Sequence, residues 1–483
     1  MLSKIFQFQN IYTKWILLAL MLVAAILRYF TLTTTSFTIE EQELWAAASS
    51  GSIIDSISYI NQVKPFSLLL GWTNWLFCWE GIYIEFFSRL VSFISSVLAV
   101  PLIFILSRKF YSETEGLIAS SLIAFSWVCI STSQEISQYS LLLSFSIFYF
   151  IALITFLDRV SEEQIFNQID TFLLVISGLL LGLLSVWGIM LVVVSFFYSF
   201  FFIKKINTFL RVTQRFLYIL LPLSLLLLLN FNRPIIYSLY TPQWTDYIAS
   251  FNYIITNNYL LSVIVILLLL YLGGVYIGRI SSKEEKGEDA KTSFNNSTLV
   301  ITICLVGSII GFVLITFLLK FEFSRNDLII FLIPLFLLLS RAIVLVSTKL
   351  KTQIILGSIL AIVFLISTII NLEEINNKPE YDQVFRFIKT SSVYDYQRYG
   401  LVYTSLMHQN DFYYKKYDIR FPQVVLKKDI KEIDDSGVLG IGVYWLINDN
   451  SINIENYIKE LKINNKFDGG YRFRGVTIYK IIL

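Results

Sequence analysis

The stretch KPFSLLLGWTNWLFCW, residues 64–79, decides how the whole chain is threaded. Its apolar part, Phe66–Trp79, is about 14 residues long, whereas a membrane-crossing helix needs roughly 20. Length alone leaves two readings, a short span or a helix lying on the membrane surface. The charges of the other loops discriminate between them.

Elsewhere, apolar segments at about 15–33, 89–107, 117–132, 139–157, 171–188, 189–203, 216–230, 260–278, 298–319, 327–346 and 354–371 are candidate spans. The 171–203 stretch reads as a hairpin turning at Trp187-Gly188. Take the N-terminus as cytoplasmic and let 66–79 stay on the surface. The inner loops then carry Lys4, Lys14, Arg108, Lys109, Arg159, Lys204, Lys205, Arg211, Arg215, Arg279, Lys283, Lys286, Lys291, Lys349 and Lys351. The outer loops and their edges carry only Arg28, Lys64, Arg89, Arg233, Lys320 and Arg325. If 66–79 crossed, every later loop would change sides and this bias would invert. The positive-inside rule therefore predicts a helix on the outer face.

The expected fold is a polytopic α-helical membrane protein of about 11 transmembrane helices, with juxtamembrane helices on its outer surface. An odd number of spans puts the C-terminus outside. Composition agrees: 56% of residues are hydrophobic and 15% charged, with a mean hydropathy of +0.67, whereas soluble domains carry about a quarter charged residues. The net charge of +3 gives no reason to expect nucleic acid. Cys78, Cys129 and Cys304 all fall in apolar stretches, so neither a disulfide framework nor a CxxC site is implied. The N-terminal apolar segment has no small-residue cleavage site and reads as a retained first span.

Residues 1–371 thus form the membrane part, with a first outer loop at 34–88 and a cytoplasmic linker at 279–297 whose Ser281–Ser297 portion is rich in Lys, Glu, Ser and Asn. After Asn371 the sequence turns mixed polar. Helices are expected at Pro379–Lys389 and Ile454–Ile463, and strands at Leu401–Ser405, Val438–Ile447 and Gly475–Ile482. Residues 372–483 are read as a small α/β domain outside the cytoplasm.

Chemistry is sought among the outer charges, which are costly in this setting unless used or paired. Glu40, Glu41 and Glu43 follow the first span. A carboxylate at the membrane edge can serve as a general base, and it can equally be a solvated helix start favoured by the dipole. Lys64-Pro65 opens the surface helix, with the proline suited to a first turn. Its ammonium suits a phosphate or a snorkelling anchor. Arg89 and Arg325, at outer helix ends, could join a phosphate clamp. Glu135 lies in the short outer link Ser133–Tyr139, which reads either as part of the site or as a capped turn. His408 reads as a packing histidine, and Trp72, Trp75, Trp79, Trp244 and Tyr247 as an interfacial belt.

Taken in order, these features resemble the C-type (GT-C) membrane glycosyltransferases, most closely the protein O-mannosyltransferase and aminoarabinose transferase branches. Leu27-Arg28-Tyr29, then Ser36–Glu41, resembles the start of those enzymes, which carry an Asp-Glu pair in the first outer loop. Lys64-Pro65-Phe66 and Arg89-Leu90 match the two elements that follow. Ser133-Gln134-Glu135 through Tyr139-Ser140-Leu141 resembles a Gln-Glu-x-Arg-x-Tyr element, and Ser324-Arg325 with Phe331–Leu335 a late Arg-Tyr and Pro signature. The resemblance spans about residues 20–345.

It implies transfer of a sugar from a polyprenyl-phosphate-linked donor to a lipid, glycan or protein acceptor on the extracytoplasmic face of a membrane, here a bacterial plasma membrane. Glu40 would be the base in a single inverting displacement, with Glu41 beside it. Lys64, Arg89 and Arg325 would hold the lipid phosphate, supported by Glu135 and Tyr139. No cofactor is certain, but some relatives bind a divalent metal, for which Glu40, Glu41 and Glu135 are the candidate ligands. Two departures stand out: Glu40 replaces the family's aspartate, and Ser137 stands where an arginine is expected. A non-catalytic protein of the same architecture, binding polyprenyl lipid or a partner, and a lipid or sugar transporter stay open as alternatives.

Overall fold

The computed structural model describes residues 11–30, 36–48, 52–63, 67–77, 84–161, 168–199, 206–231, 244–284, 325–346, 349–376, 381–392, five C-terminal strands and a few isolated positions. The expected span at 298–319 and most of the expected helix at 454–463 lie outside the described residues.

Helix α1 (Ile11–Tyr29) shows the packing rule of the molecule. It buries Thr13, Leu17, Ala24 and Arg28, a stripe at helical spacing, and turns Trp15, Leu22 and Ile26 outward. Apolar side chains outside and polar ones inside invert the soluble pattern, as a hydrocarbon solvent demands. Three helices then follow in the first loop: α2 (Ile39–Ala48), α3 (Ile53–Val63) and α4 (Leu68–Phe77). Next come α5 (Ile84–Phe110), the pair α6 (Glu113–Phe125) and α7 (Trp127–Ser133), α8 (Tyr139–Ser161), α9 (Gln168–Gly182), α10 (Val186–Ser199) and α11 (Ile206–Phe231). Further on lie α12 (Trp244–Ile255), α13 (Tyr259–Glu284), a 3-10 turn at Arg325–Phe331, α14 (Leu332–Val346) and α15 (Leu350–Asn376).

Among the described residues, 5 helices are long and apolar enough to cross a membrane, or up to 7 if each bent pair is one span. The smaller figure has identifiable causes. The expected span at 117–132 is broken, α6 meeting α7 at 54°. The 12-residue α12 meets α13 at 83°, with Asn257 taking a positive φ of 52° at the corner. Helices α9 and α10 are only 15 and 14 residues long.

Helix α4 has 10 residues, about 15 Å of axis and half of what a crossing takes. Its start is attached to one end of the bundle. Leu69 N donates to Leu183 O at 3.1 Å, and Ser67 Oγ donates to Gln138 Oε1. This end is called the site end below. At the opposite end, Arg341 Nη1 binds Glu115 Oε1 at 2.5 Å, Ser112 also donates to Glu115, and Arg159 pairs with Asp170.

The hairpin turns at Leu183–Ser185 rather than at Trp187-Gly188. Ser185 Oγ caps the new helix by accepting from Trp187 N at 3.2 Å. Gly188 sits inside α10 because the backbone of α9 comes too close for any side chain: an added Cβ would lie 2.1 Å from Leu181 O.

The C-terminal sheet has five strands in the order β2-β1-β3-β5-β4, with β1 at Tyr399–Tyr403, β2 at Gln423–Val425, β3 at Val443–Asn448, β4 at Phe467–Phe473 and β5 at Val476–Ile482. β1 runs parallel to β2 and β3, while β5 is antiparallel to both β3 and β4. Helix α16 (Tyr381–Ser392) packs Phe387 against Trp445 and Tyr471, with ring centroids at 5.9 and 4.6 Å. β2 and β4 were not expected from the sequence, since three residues make no pattern and Gly469-Gly470 argues against a strand.

Gly188→Ala is expected to cost about 1–3 kcal/mol of stability, since the obstructing atoms are backbone. Gly274→Ala, with no atom within 4 Å of the added Cβ, should be near neutral. Thermal unfolding of the two detergent-solubilised variants checks the contrast.

Candidate site at the Glu41–Arg89 end

Helix α2 begins at Ile39 with a reciprocal cap: Thr38 N donates to Glu41 Oε2 at 2.9 Å, and Glu41 N donates to Thr38 Oγ1 at 3.3 Å. This is the capping-box arrangement, three residues apart. The glutamate does more than cap. Arg89, in the second turn of α5, grips it bidentately, Nε to Oε1 at 2.7 Å and Nη2 to Oε2 at 2.8 Å. Ile136 N adds a bond to Oε1 at 2.9 Å. Arg89 donates onward to Leu32 O at 2.9 Å and Ser36 O at 3.2 Å, and lies 5.2 Å from the Phe37 ring centroid.

Glu41 is 1% exposed and Arg89 fully buried. The pair joins the first loop with its helix α2, α5 and the Ser133–Tyr139 link, and the charge-derived topology had already put the first loop and this link on one face. A guanidinium enclosed in this way is spent on its carboxylate and carbonyls. All three of its guanidinium nitrogens are occupied within the protein.

The other candidates are placed as follows. The backbone of Glu40 lies in α2 beside Glu41, while its side chain and that of Glu43 are outside the described residues, as are Lys64, Pro65 and Phe66. Glu135 is half-buried, and Tyr139 is buried at the start of α8. Ser137, at the position of the family's arginine, donates from Oγ to Thr132 O at 3.1 Å and accepts at its carbonyl from Ser92 Oγ at 3.2 Å. The small residue thus closes the link onto α5 and α7. Arg325 is exposed, 6.0 Å from the Tyr253 ring centroid. The turn it begins packs on α12, Phe331 stacking on Phe251 at 6.2 Å. Of the aromatic belt, Trp72 is exposed and Tyr247 buried, while Trp79 and the side chain of Trp244 lie outside the described residues, as does His408.

Sequence reading missed Arg28, counting it as an edge charge. It is fully buried, its Nε donating to Ser96 Oγ at 2.7 Å and its two terminal nitrogens to Ala24 O, Ala124 O and Ile123 O at 3.0–3.1 Å. The last two carbonyls are orphans left by the end of α6 at Ser126. A helix C-terminus carries partial negative charge, so this cation is held by backbone dipoles as well as by a hydroxyl. Ser96 Oγ donates in turn to Cys129 O at 2.9 Å. The signal was there: an arginine at the end of a stripe that α1 buries.

Glu41 does not fit as a metal ligand. Both oxygens are occupied and its charge is neutralised by Arg89. Among the described residues no group of three or more His, Cys, Asp and Glu side chains is placed to hold a metal ion.

Glu41→Gln and Arg89→Met should each cost about 3–5 kcal/mol, since each leaves its partner buried without compensation. The double variant should cost well under the sum, as contacting residues couple. Unfolding of the four proteins in one detergent closes this cycle, and strict additivity would show that the pair is not an energetic unit.

No protein-family model and no curated protein matches the chain. Solved structures do. The chain is similar to ArnT from Cupriavidus metallidurans in the apo state, with 11% identity, a TM-score of 0.57 and coverage of 98% of both chains. It is also similar to the same enzyme bound to undecaprenyl phosphate, with 10% identity, a TM-score of 0.50 and coverage of 97% of this chain and 98% of that one. At such identity the likeness shows the fold alone, and it agrees with the architecture the sequence resemblance implied.

Proposed function

We propose that the chain is a membrane glycosyltransferase that moves a sugar from a polyprenyl-phosphate carrier to an acceptor hydroxyl on a lipid, glycan or protein at the extracytoplasmic face. The observation that carries this reading is the Glu41–Arg89 pair. It holds the second glutamate of a Glu-Glu sequence in a buried clamp and so fixes the start of α2, and the chemistry is assigned to the first. That the solved neighbour ArnT is known with undecaprenyl phosphate bound supports a polyprenyl-phosphate donor for this fold.

In this reading Glu40 removes the proton from the acceptor hydroxyl as its oxygen attacks the anomeric carbon. The bond from that carbon to the phosphate oxygen breaks in the same step, and polyprenyl phosphate leaves with the electron pair, inverting the configuration. Lys64 and the exposed Arg325 stabilise the charge that grows on the departing phosphate. Glu41 and Arg89 position α2, and Glu135 and Tyr139 belong to the link that closes over it. The loop-charge bias favours this end, and the C-terminal sheet with it, lying outside the cytoplasm; the membrane proposed is a bacterial plasma membrane.

Glu40→Gln should lower transfer in proteoliposomes roughly a hundredfold or more, the scale of a lost general base, and Lys64→Ala should abolish it. The measurement is sugar released from a radiolabelled polyprenyl-phosphate donor. Full transfer by both variants would sink the assignment.

A further inference from the structure

Over residues 362–371 helix α15 faces outward with Ile362, Ile366, Ile369 and Ile370, yet buries three polar side chains: Ser367, Thr368 and Asn371. Each binds backbone in another element. Thr368 Oγ1 donates to Phe125 O at 2.6 Å, the carbonyl next to the two that Arg28 takes at the end of α6. Ser367 Oγ donates to Thr256 O, and Asn371 Nδ2 donates to the same carbonyl at 3.2 Å. Asn371 Oδ1 accepts from Asn257 Nδ2 at 3.0 Å, at the corner residue with positive φ. Consecutive helical residues diverge by about 100°, which is how Ser367 and Thr368 reach two different helix ends.

The two ends lead to opposite halves of the site. Beyond Phe125, the short α7 runs to the Ser133–Tyr139 link, whose Ile136 amide binds Glu41. Before Thr256, α12 carries Phe251 and Tyr253, the rings that seat the Arg325 turn. We infer that Ser367, Thr368 and Asn371 are positioning residues, by which one turn of the last span holds the carboxylate half and the arginine half of the site in register. A buried carbonyl left without a donor is costly, so each helix end stays where its donor puts it. The consequence for catalysis rests on the proposed function; the pinning itself does not.

Hydrogen exchange read by mass spectrometry separates the two. Thr368→Val should speed exchange roughly tenfold in 126–139 and leave 252–258 unchanged, while Ser367→Ala and Asn371→Leu should do the reverse, each losing a buried hydrogen bond. In the transfer assay all three should lower kcat about tenfold or more, with donor KM moving less than about twofold, because a shift on the order of 1 Å between reacting groups is enough. Thr368→Ser, which keeps the hydroxyl, should restore both readouts. Exchange that rises throughout the chain, or not at all, overturns the inference, as does unchanged kcat beside an active wild type. If the wild type transfers no sugar, the proposed function falls and the segment-specific exchange alone decides the pinning.

Discussion

The bidentate contact between Arg89 and Glu41 is the constraint from which the rest of the site end follows. Two charges removed from water must satisfy each other and every remaining donor and lone pair. Arg89 does so with carbonyls of the first loop, and Glu41 with amides of Thr38 and Ile136. Three segments far apart in the chain, residues 32–41, α5 and the Ser133–Tyr139 link, are thereby brought to one point, and the Glu40 backbone is carried there as the neighbour of Glu41.

The same accounting explains the broken span. A helix that stops inside the bundle leaves carbonyls with no water to meet them. Ile123 and Ala124 are answered by Arg28 and Phe125 by Thr368, so the break at Ser126 is supported from the first span and from the last. The α12–α13 corner is answered by Ser367 and Asn371. Small residues let these elements approach: an added Cβ at Gly116 of α6 would lie 2.8 Å from the Phe104 ring of α5, and Ser120 Oγ reaches Val100 O at 3.0 Å.

The multi-pass helical character was legible in the sequence because lipid writes long apolar runs, and the shortness of Phe66–Trp79 agrees with the 10 residues of α4. Of the residues the sequence singled out, Glu41 and Arg89 meet directly and the Ser133–Tyr139 link joins them through the Ile136 amide. What was hidden is tertiary. The ion pair of Arg89 was hidden because its partner Glu41 is 48 positions away. The break at Ser126 was invisible because its compensation comes from residues 28 and 368, and a run of apolar residues looks the same whether or not the helix inside it bends. The hairpin was misplaced by a few residues because glycine at 188 signals a turn, whereas here it signals close approach of two helices.

The central claim is that polyprenyl phosphate binds at the Glu41–Arg89 end, with its phosphate between the first loop and the Arg325 turn. A cryo-EM structure of the protein in nanodiscs with undecaprenyl phosphate tests it most directly. The account predicts phosphate density within hydrogen-bonding reach of Lys64 and Arg325, on the side of α2 that carries Glu40, with Arg89 still closed on Glu41. Phosphate bound instead among Arg108, Lys109 and Arg159 at the opposite end would contradict it.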